Sequence, residues 1–283
     1  MSDVSPDMNA DTIAVLGIDA AWTASRPSGV ALVVQQAGRW CLRAVAPSYA
    51  HFLALRRGER LEGAPAGTLP NVAALLDAAR RLAEARIGLI AIDMPLSREP
   101  IVGRRESDNA IARAFGARHC ATHSPSAARP GALSDALCAD FAAAGYPLRT
   151  ADAQAGGLIE VYPHPALVVL AGAARRLPYK AGNSAKYWPG ESIAVRRELL
   201  RAQWDRIAAL LATRIDGVAE RLLPLPDPAT GVERKAHEDM LDAIVCAWIG
   251  VAALTGQADA YGDTVSAIWV PREQPGTEPS IAG

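Results

Sequence analysis

Short, unbroken apolar runs alternate along this chain with stretches of helical periodicity. Residues 12–19 (TIAVLGID) and 87–93 (IGLIAID) stay apolar until a terminal Ile-Asp, the pattern of strands covered on both faces. WTASRPSG (22–29) turns the chain. GVALVVQQ (29–36) and RWCLRAVAP (39–47) then flank Ala37-Gly38, which predicts a hairpin and makes the first three strands antiparallel. In NVAALLDAARRLAEAR (71–86) apolar residues recur at helical spacing behind an opening Pro70 or Asn71. A strand, helix, strand order implies a right-handed crossover, so strand four is expected parallel beside strand one.

After strand four the pattern changes. An insertion over about 97–157 is rich in Arg, Ala and Ser and helical in part (SDNAIARAFGAR, ALSDALCADFAAAG). LIEVYP (158–163) reads as a short strand, and helical patterns resume at 190–222 and 235–255 on either side of the turn LPDPATG (225–231). VSAIWVP (265–271) is the expected last strand, closing one edge. The expected class is therefore α/β. A mixed sheet, three antiparallel strands then parallel ones, is flanked by helices and carries a helical insertion after strand four, in a single domain over 12–271. That order fits the ribonuclease H-like fold, in which strands one and four are central neighbours and both Ile-Asp tips emerge at one sheet edge. Residues 1–11 and 272–283 have the composition of loose tails.

Composition narrows the function. Half of the 283 residues are hydrophobic and 5% aromatic, an Ala- and Leu-rich globular balance rather than a disordered one. A net charge of -1 provides no bulk attraction to nucleic acid, so polyanion binding requires a local patch. Cys41, Cys120, Cys138 and Cys246 are scattered without a CxxC pair, which points to a reduced, cytoplasmic protein. The acidic N-terminus is not a signal peptide, and no apolar run reaches the roughly 18 residues of a membrane span.

The two strand tips raise a chemical question. Neighbouring strands lie about 4.8 Å apart, which sets Asp19 and Asp93 roughly 5 Å from each other. At an effective dielectric near 20 the two charges repel by about 3 kcal/mol, enough to raise one pKa by about two units unless a cation intervenes. Hard oxygen ligands with no sulfur nearby favour Mg2+ or Mn2+. HEDMLDAIVCAWIG (237–250) adds Glu238, Asp239 and Asp242 on one helical face, above a buried stripe of Met240, Ile244, Ala247, Trp248 and Val251. Acids at a helix start also simply suit the helix dipole. Gathered at one point, four carboxylates can hold two metal ions about 4 Å apart, one activating water and the other stabilising a phosphodiester's leaving oxygen.

The motifs GIDAAW, AIDMPL, EVYPHPAL, YK and DMLDAIVCAW, in that order over about 12–271, resemble the domain of unknown function 429 family. This is a widespread bacterial family with a predicted ribonuclease H-like nuclease fold. HEDMLDAIVCAW also looks like the last acidic helix of Holliday-junction resolvases. By that resemblance Asp19, Asp93, Asp239 and Asp242 carry over as metal ligands and catalytic residues, with fold-level analogy as the warrant. Those resolvases usually have Glu on the fourth strand. Asp93 is a methylene shorter, which draws the metal toward that strand or places a water between them.

A second tier surrounds this set. Glu160 is a further catalytic candidate, or a solvated strand position. His164, between two prolines, is a candidate proton shuttle or a structural histidine. His237 is a candidate contact to a scissile phosphate or product, or an ordinary surface histidine at a helix start. Lys180 and Lys186, in the loop LPYKAGNSAKYWPG, suit phosphate binding or belong to an ordinary exposed loop, and Arg98, Arg104, Arg105, Arg113 and Arg118 either line the site edge positively or are common helical surface arginines. His119 and His123 flank Cys120 without a fourth ligand, so zinc is not expected. The leading expectation is a metal-dependent nuclease or phosphodiesterase acting on nucleic acid or a nucleotide. The alternatives are a phosphotransferase of the actin and sugar-kinase type and a catalytically silent binding protein.

Overall fold

The computed structural model describes residues 12–273. The first three strands are β1 (Ile13–Asp19), β2 (Gly29–Gln36) and β3 (Arg39–Ala46), each antiparallel to the one before. Ala37 and Gly38 turn β2 into β3 with φ of 48° and 78°, the paired positive values that match the twist of a hairpin. Helix α1 (Tyr49–Leu55) is capped by the Ser48 side chain and α2 (Val72–Ala83) by that of Asn71. β4 (Arg86–Ile92) then runs parallel to β1, as the crossover order requires.

The insertion contributes α3 (Glu106–Phe115) and α4 (Ala132–Ala143) before β5 (Gly157–Val161) joins β4 in parallel. Helices α5 (Pro163–Leu170), α6 (Ser184–Tyr187), α7 (Ile193–Ala212), α8 (Val218–Arg221) and α9 (Gly231–Leu254) follow. β6 (Ala258–Gly262) and β7 (Ala267–Pro271) complete one seven-stranded sheet of order β3-β2-β1-β4-β5-β7-β6. None of the helices among the described residues is long and apolar enough to cross a membrane.

Both faces of the sheet are covered, which is why its central strands read as unbroken apolar runs. Ala14, Leu16 and Ile18 of β1 pack with Val72, Leu75 and Leu76 of α2 and with Leu137 and Phe141 of α4. Val15, between them, faces the other way with Leu89, Ala91 and Ile159, against α9 and the Leu200 and Trp204 side chains of α7.

On this second face α9 lies directly on the strands. A Cβ at Gly17 would stand 2.4 Å from the Ala243 carbonyl oxygen and the Ala247 nitrogen, and one at Gly29 would stand 2.0 Å from the Asp239 carbonyl oxygen. The missing side chains let helix backbone rest on sheet backbone. Gly17→Ala is expected to lower stability by about 3 kcal/mol, the upper part of the usual cost of overpacking a core. A thermal or urea melt reads this directly, and an unchanged midpoint would mean that α9 does not seat on β1.

Several elements depart from the expected boundaries. Strand five ends at Val161, and the residues after it form α5 because Pro163 at the first helical turn has its φ already set and gives up no needed hydrogen bond. The helical stretch expected over 190–222 breaks after Ala212, and α8 starts anew behind Gly217, whose φ is 78°. β6, α1 and α6 were not anticipated, and β6, pairing with β7, takes the sheet edge that VSAIWVP was expected to close. The proposed tail 1–11, and all but the first two residues of the tail 272–283, lie outside the described residues.

Candidate functional site

The ladder between β1 and β4 levels the two strand tips. The Asp93 backbone N–H donates to the Ile18 carbonyl at 2.9 Å, one residue beyond the last β4 pairing. Asp19 and Asp93 therefore emerge side by side, each half-buried. The glycine seat puts α9 above them, with Asp239 over the start of β2, where Gly29 pairs with Asp19.

Helix α9 begins at Gly231, four residues earlier than its periodicity suggested. Its N-terminus is closed by a capping box, in which Glu233 N–H donates to the Thr230 hydroxyl at 3.2 Å and Thr230 N–H to the Glu233 carboxylate at 2.7 Å. Glu238, Asp239 and Asp242 thus lie about two turns inside the helix, buried, where the end of the helix dipole no longer rewards a negative charge. The simple explanation of these acids as first-turn residues does not hold.

Two lysines stand among the acids. Asp242 accepts from the Tyr179 hydroxyl at 2.7 Å and from the Lys180 ammonium, so both its oxygens are engaged. Lys180 also lies 3.7 Å from Glu238, and the Ala181 N–H donates to Glu238 at 2.6 Å. Lys235, largely exposed, reaches back to Glu238 at 2.9 Å and to Oδ1 of Asp239. Asp239 Oδ2 is buried without a hydrogen-bond partner.

Asp19, Asp93, Glu238, Asp239 and Asp242 thus outnumber Lys180 and Lys235. Burial raises Asp19 well above the usual carboxyl range, with repulsion from Asp242 and Asp239 adding to it and the two lysines opposing it. Burial likewise lifts Asp93 to about 7, against the pull of Lys180 and with Asp242 and Glu160 pushing further. Asp239 rises to about 6 through burial despite Lys235.

A carboxyl raised in the folded state stabilises the protein below its unfolded pKa, and that contribution is lost as pH rises through the folded value. For Asp93 the window runs from about 4 up to about 7. Burial holds His164 and His237 neutral and works in the opposite sense on acidification. The clean readout is therefore a difference between two proteins. In EDTA, Asp93→Asn is expected to melt several degrees above wild type at pH 8, with the gap closing toward pH 5. A constant gap across that range would show that Asp93 ionises normally.

The second-tier residues take other positions. Arg105 donates to Glu160 at 2.6 and 2.8 Å, to Asp108 at 3.0 and 3.1 Å, and to the Leu96 carbonyl at 2.7 Å, so its guanidinium is saturated. Glu160 in turn accepts from the Leu96 N–H at 2.8 Å. The two partners respond differently: burial lifts Glu160 to about 6 despite the guanidinium, whereas pairing with Glu160 and Asp108 raises Arg105 against its own desolvation. The short bidentate geometry decides, and both are charged at neutral pH. Arg105 is thus occupied within the protein, tying the start of α3 to β5 beside the strand tips. His164 is buried with Nδ1 unpartnered and its ring 5.4 Å from that of Tyr179. Its ring also lies 5.3 Å from that of Tyr162, so it packs against both tyrosines. His237 packs its ring 5.4 Å from Trp204, and Lys186 is exposed on α6.

Sequence reasoning missed the roles of Lys235, Tyr179 and Asp108. The spacing of Lys235 to Glu238 and Asp239, three and four residues along one helix, was the available signal for the first. Sulfur is also closer than expected. Cys246, a turn beyond Asp242 on α9, is buried, and burial together with Asp93, Asp19 and Asp242 holds its thiol well above its ordinary pKa, so it stays neutral.

The donor set suits a hard divalent cation chemically: carboxylate oxygens, one of them buried and unsatisfied, in excess over the local positive charge. Among the described residues no three Asp, Glu, His or Cys side chains already converge tightly enough to hold an ion. Asp19, Asp93 and Oδ2 of Asp239 are the groups left available, and Asp242 is committed to Tyr179 and Lys180.

No curated protein and no solved structure matches the chain. A match to the family described as protein of unknown function (DUF429) spans residues 17–266, taking in both strand tips and the acidic turns of α9. The chain belongs to that family.

Proposed function

We propose that this protein is a divalent-metal-dependent phosphodiesterase or nuclease on a ribonuclease H-like sheet, with Asp19, Asp93 and Asp239 holding Mg2+ or Mn2+. The observation that carries this reading is the seating of α9 across two levelled strand tips, which gathers more buried carboxylate than the two nearby lysines offset. A bound divalent ion would supply polarisation of a phosphoryl oxygen and a water of lowered pKa.

The chain's own residues do the rest. Lys180 keeps donors beyond the one given to Asp242 and presents its charge at the same edge, where a phosphate oxygen can accept. Tyr179, held by the Asp242 carboxylate and by the Trp204 indole N–H donating to its carbonyl at 2.8 Å, fixes the backbone from which Lys180 projects. Lys235 neutralises Asp239 when no ion is present and is exposed enough to swing away. Glu160 and Arg105 hold the loop after β4 against β5 and keep Asp93 in place.

The test is a panel of labelled single-stranded, duplex and branched DNA and RNA, incubated with Mg2+, Mn2+ or EDTA. Metal-dependent cutting that Asp93→Asn abolishes is the expected result. Turnover of ATP with a sugar, or no cutting together with no metal-induced change in melting temperature, would overturn the reading.

A further inference from the structure

Beside the carboxylate cluster, between the starts of α7 and α9, lies a cavity of about 280 Å³ lined by Ala181, Ser184, Arg196, Arg197, Leu200 and Arg234 among others. Three arginines line it and no acid does. A second cavity of about 200 Å³ adjoins it, sharing Arg197 and Arg234. There Glu198 and Asp227 are present, and Asp227 lies 3.9 Å from Arg201. The first cavity is where positive charge is left over.

The arginines differ in how they are held. Arg196 donates to the Glu191 carbonyl at 2.8 Å and Arg234 to that of Ala229, so both are anchored through neutral oxygens, and Glu233 on the same helix turn offsets Arg234 only in part. Arg197 has no hydrogen-bond or ion-pair partner among the described residues. It stands near enough to Arg234 for their mutual repulsion to add to the burial that lowers the Arg234 pKa. A chain with a net charge of -1 gains nothing by crowding guanidinium groups unless an anion sits between them.

Position says which anion. Ala181 lines the cavity, donates its N–H to Glu238 and directly follows Lys180, whose ammonium is in the carboxylate cluster. Cavity and cluster thus share one stretch of backbone. A molecule that reached both would carry one phosphate at the strand tips and another among the arginines. We propose that this arginine cavity is a subsite for a non-scissile phosphate of a polynucleotide strand, which makes the substrate a nucleic acid rather than a mononucleotide. This rests on the metal-dependent phosphodiesterase reading for the other end of the strand. Guanidinium groups suit the task through their paired donors.

The experiment measures binding apart from cleavage. Fluorescence anisotropy of a labelled single-stranded oligonucleotide in EDTA, over a range of salt concentrations, yields an affinity and a salt slope for the full-length protein. Arg197→Gln is expected to weaken binding and to reduce the slope by ~0.7, and Arg197→Gln with Arg234→Gln by ~1.4, the share of one and two released counterions on a single strand. Arg197→Lys should restore the slope, since it keeps the charge. Arg197 is exposed and unpaired, so its loss leaves folding intact, and a melt confirms this. An unchanged slope in a variant that still cuts would overturn the subsite and leave the hydrolytic reading standing. Arginine-dependent binding in a protein that cuts nothing and shows no metal-induced change in melting temperature would uphold the subsite and remove the hydrolytic reading. Failure of the wild type to bind the strand, or equal affinity for a mononucleotide, would overturn the subsite.

Discussion

Saturating Mg2+ or Mn2+ is expected to raise the melting temperature of the wild-type protein, and Asp19→Asn is expected to remove that response. An ion present at about 100 times its dissociation constant stabilises the folded state by about 2.7 kcal/mol, roughly 5–10 °C for a chain of this size. Asp19 faces the others from the tip of β1, and its carboxyl is raised well above the ordinary range by burial and by Asp242. Replacing it with a neutral amide relieves that repulsion, so the variant should melt above the wild type in EDTA at pH 8. The two effects have opposite signs, which separates loss of a ligand from loss of the fold. Loss of second-shell support alone commonly lowers metal affinity or activity by 10–100-fold, so removal of a direct ligand should reduce cutting by more than ~100-fold. Equal metal-induced shifts in both proteins would remove Asp19 from the site and leave the strand tips without a chemical purpose.

How much of this was legible beforehand depends on the range of the forces involved. The Ile-Asp strands could be read because burial on both faces imposes a local signature, an unbroken apolar run ended by a charge. The hairpin was equally plain, since Ala37-Gly38 meets a backbone requirement within two residues. The parallel placement of β4 followed from the handedness of crossovers. The three-then-parallel arrangement in the structure agrees with that reading.

Local signals failed where two rules competed. The apolar run after Val161 looks like more strand, and only the proline at the opening turn of α5 tips it to helix. β6 is short, with alternating burial, and takes its shape from pairing with β7. At the site, spacing placed Glu238, Asp239 and Asp242 on one helical face, but the level at which α9 crosses the sheet depends on Gly17 and Gly29, more than 200 residues earlier in the chain. The pairing of Lys180 with Asp242 spans 62 residues, and nothing local announces it. Arg105 looked like a surface cation near the site and is a buried tie. A guanidinium's role depends on which carboxylates reach it, and those come from α3 and β5.

Arg105→Met tests that tie and should be the most destabilising single change in the insertion. The Arg105, Asp108 and Glu160 side chains retain only 8%, 1% and 5% of their exposure, so removing the guanidinium leaves two carboxylates facing each other out of water. Breaking a buried pair from one side costs about 3–5 kcal/mol, chiefly the penalty of the abandoned charge. The loop after β4 would suffer as well, because Arg105 and Glu160 hold Leu96 through its carbonyl and its N–H. Adding Glu160→Met to the variant removes one stranded charge and refills the space with apolar atoms, so the double variant should recover part of the loss. A urea melt of the wild type, both single variants and the double variant gives the coupling energy, with at least 1 kcal/mol of non-additivity expected for groups in direct contact. Additive costs would show that Arg105 and Glu160 stabilise the fold independently, and the start of α3 would then need another anchor beside Asp93.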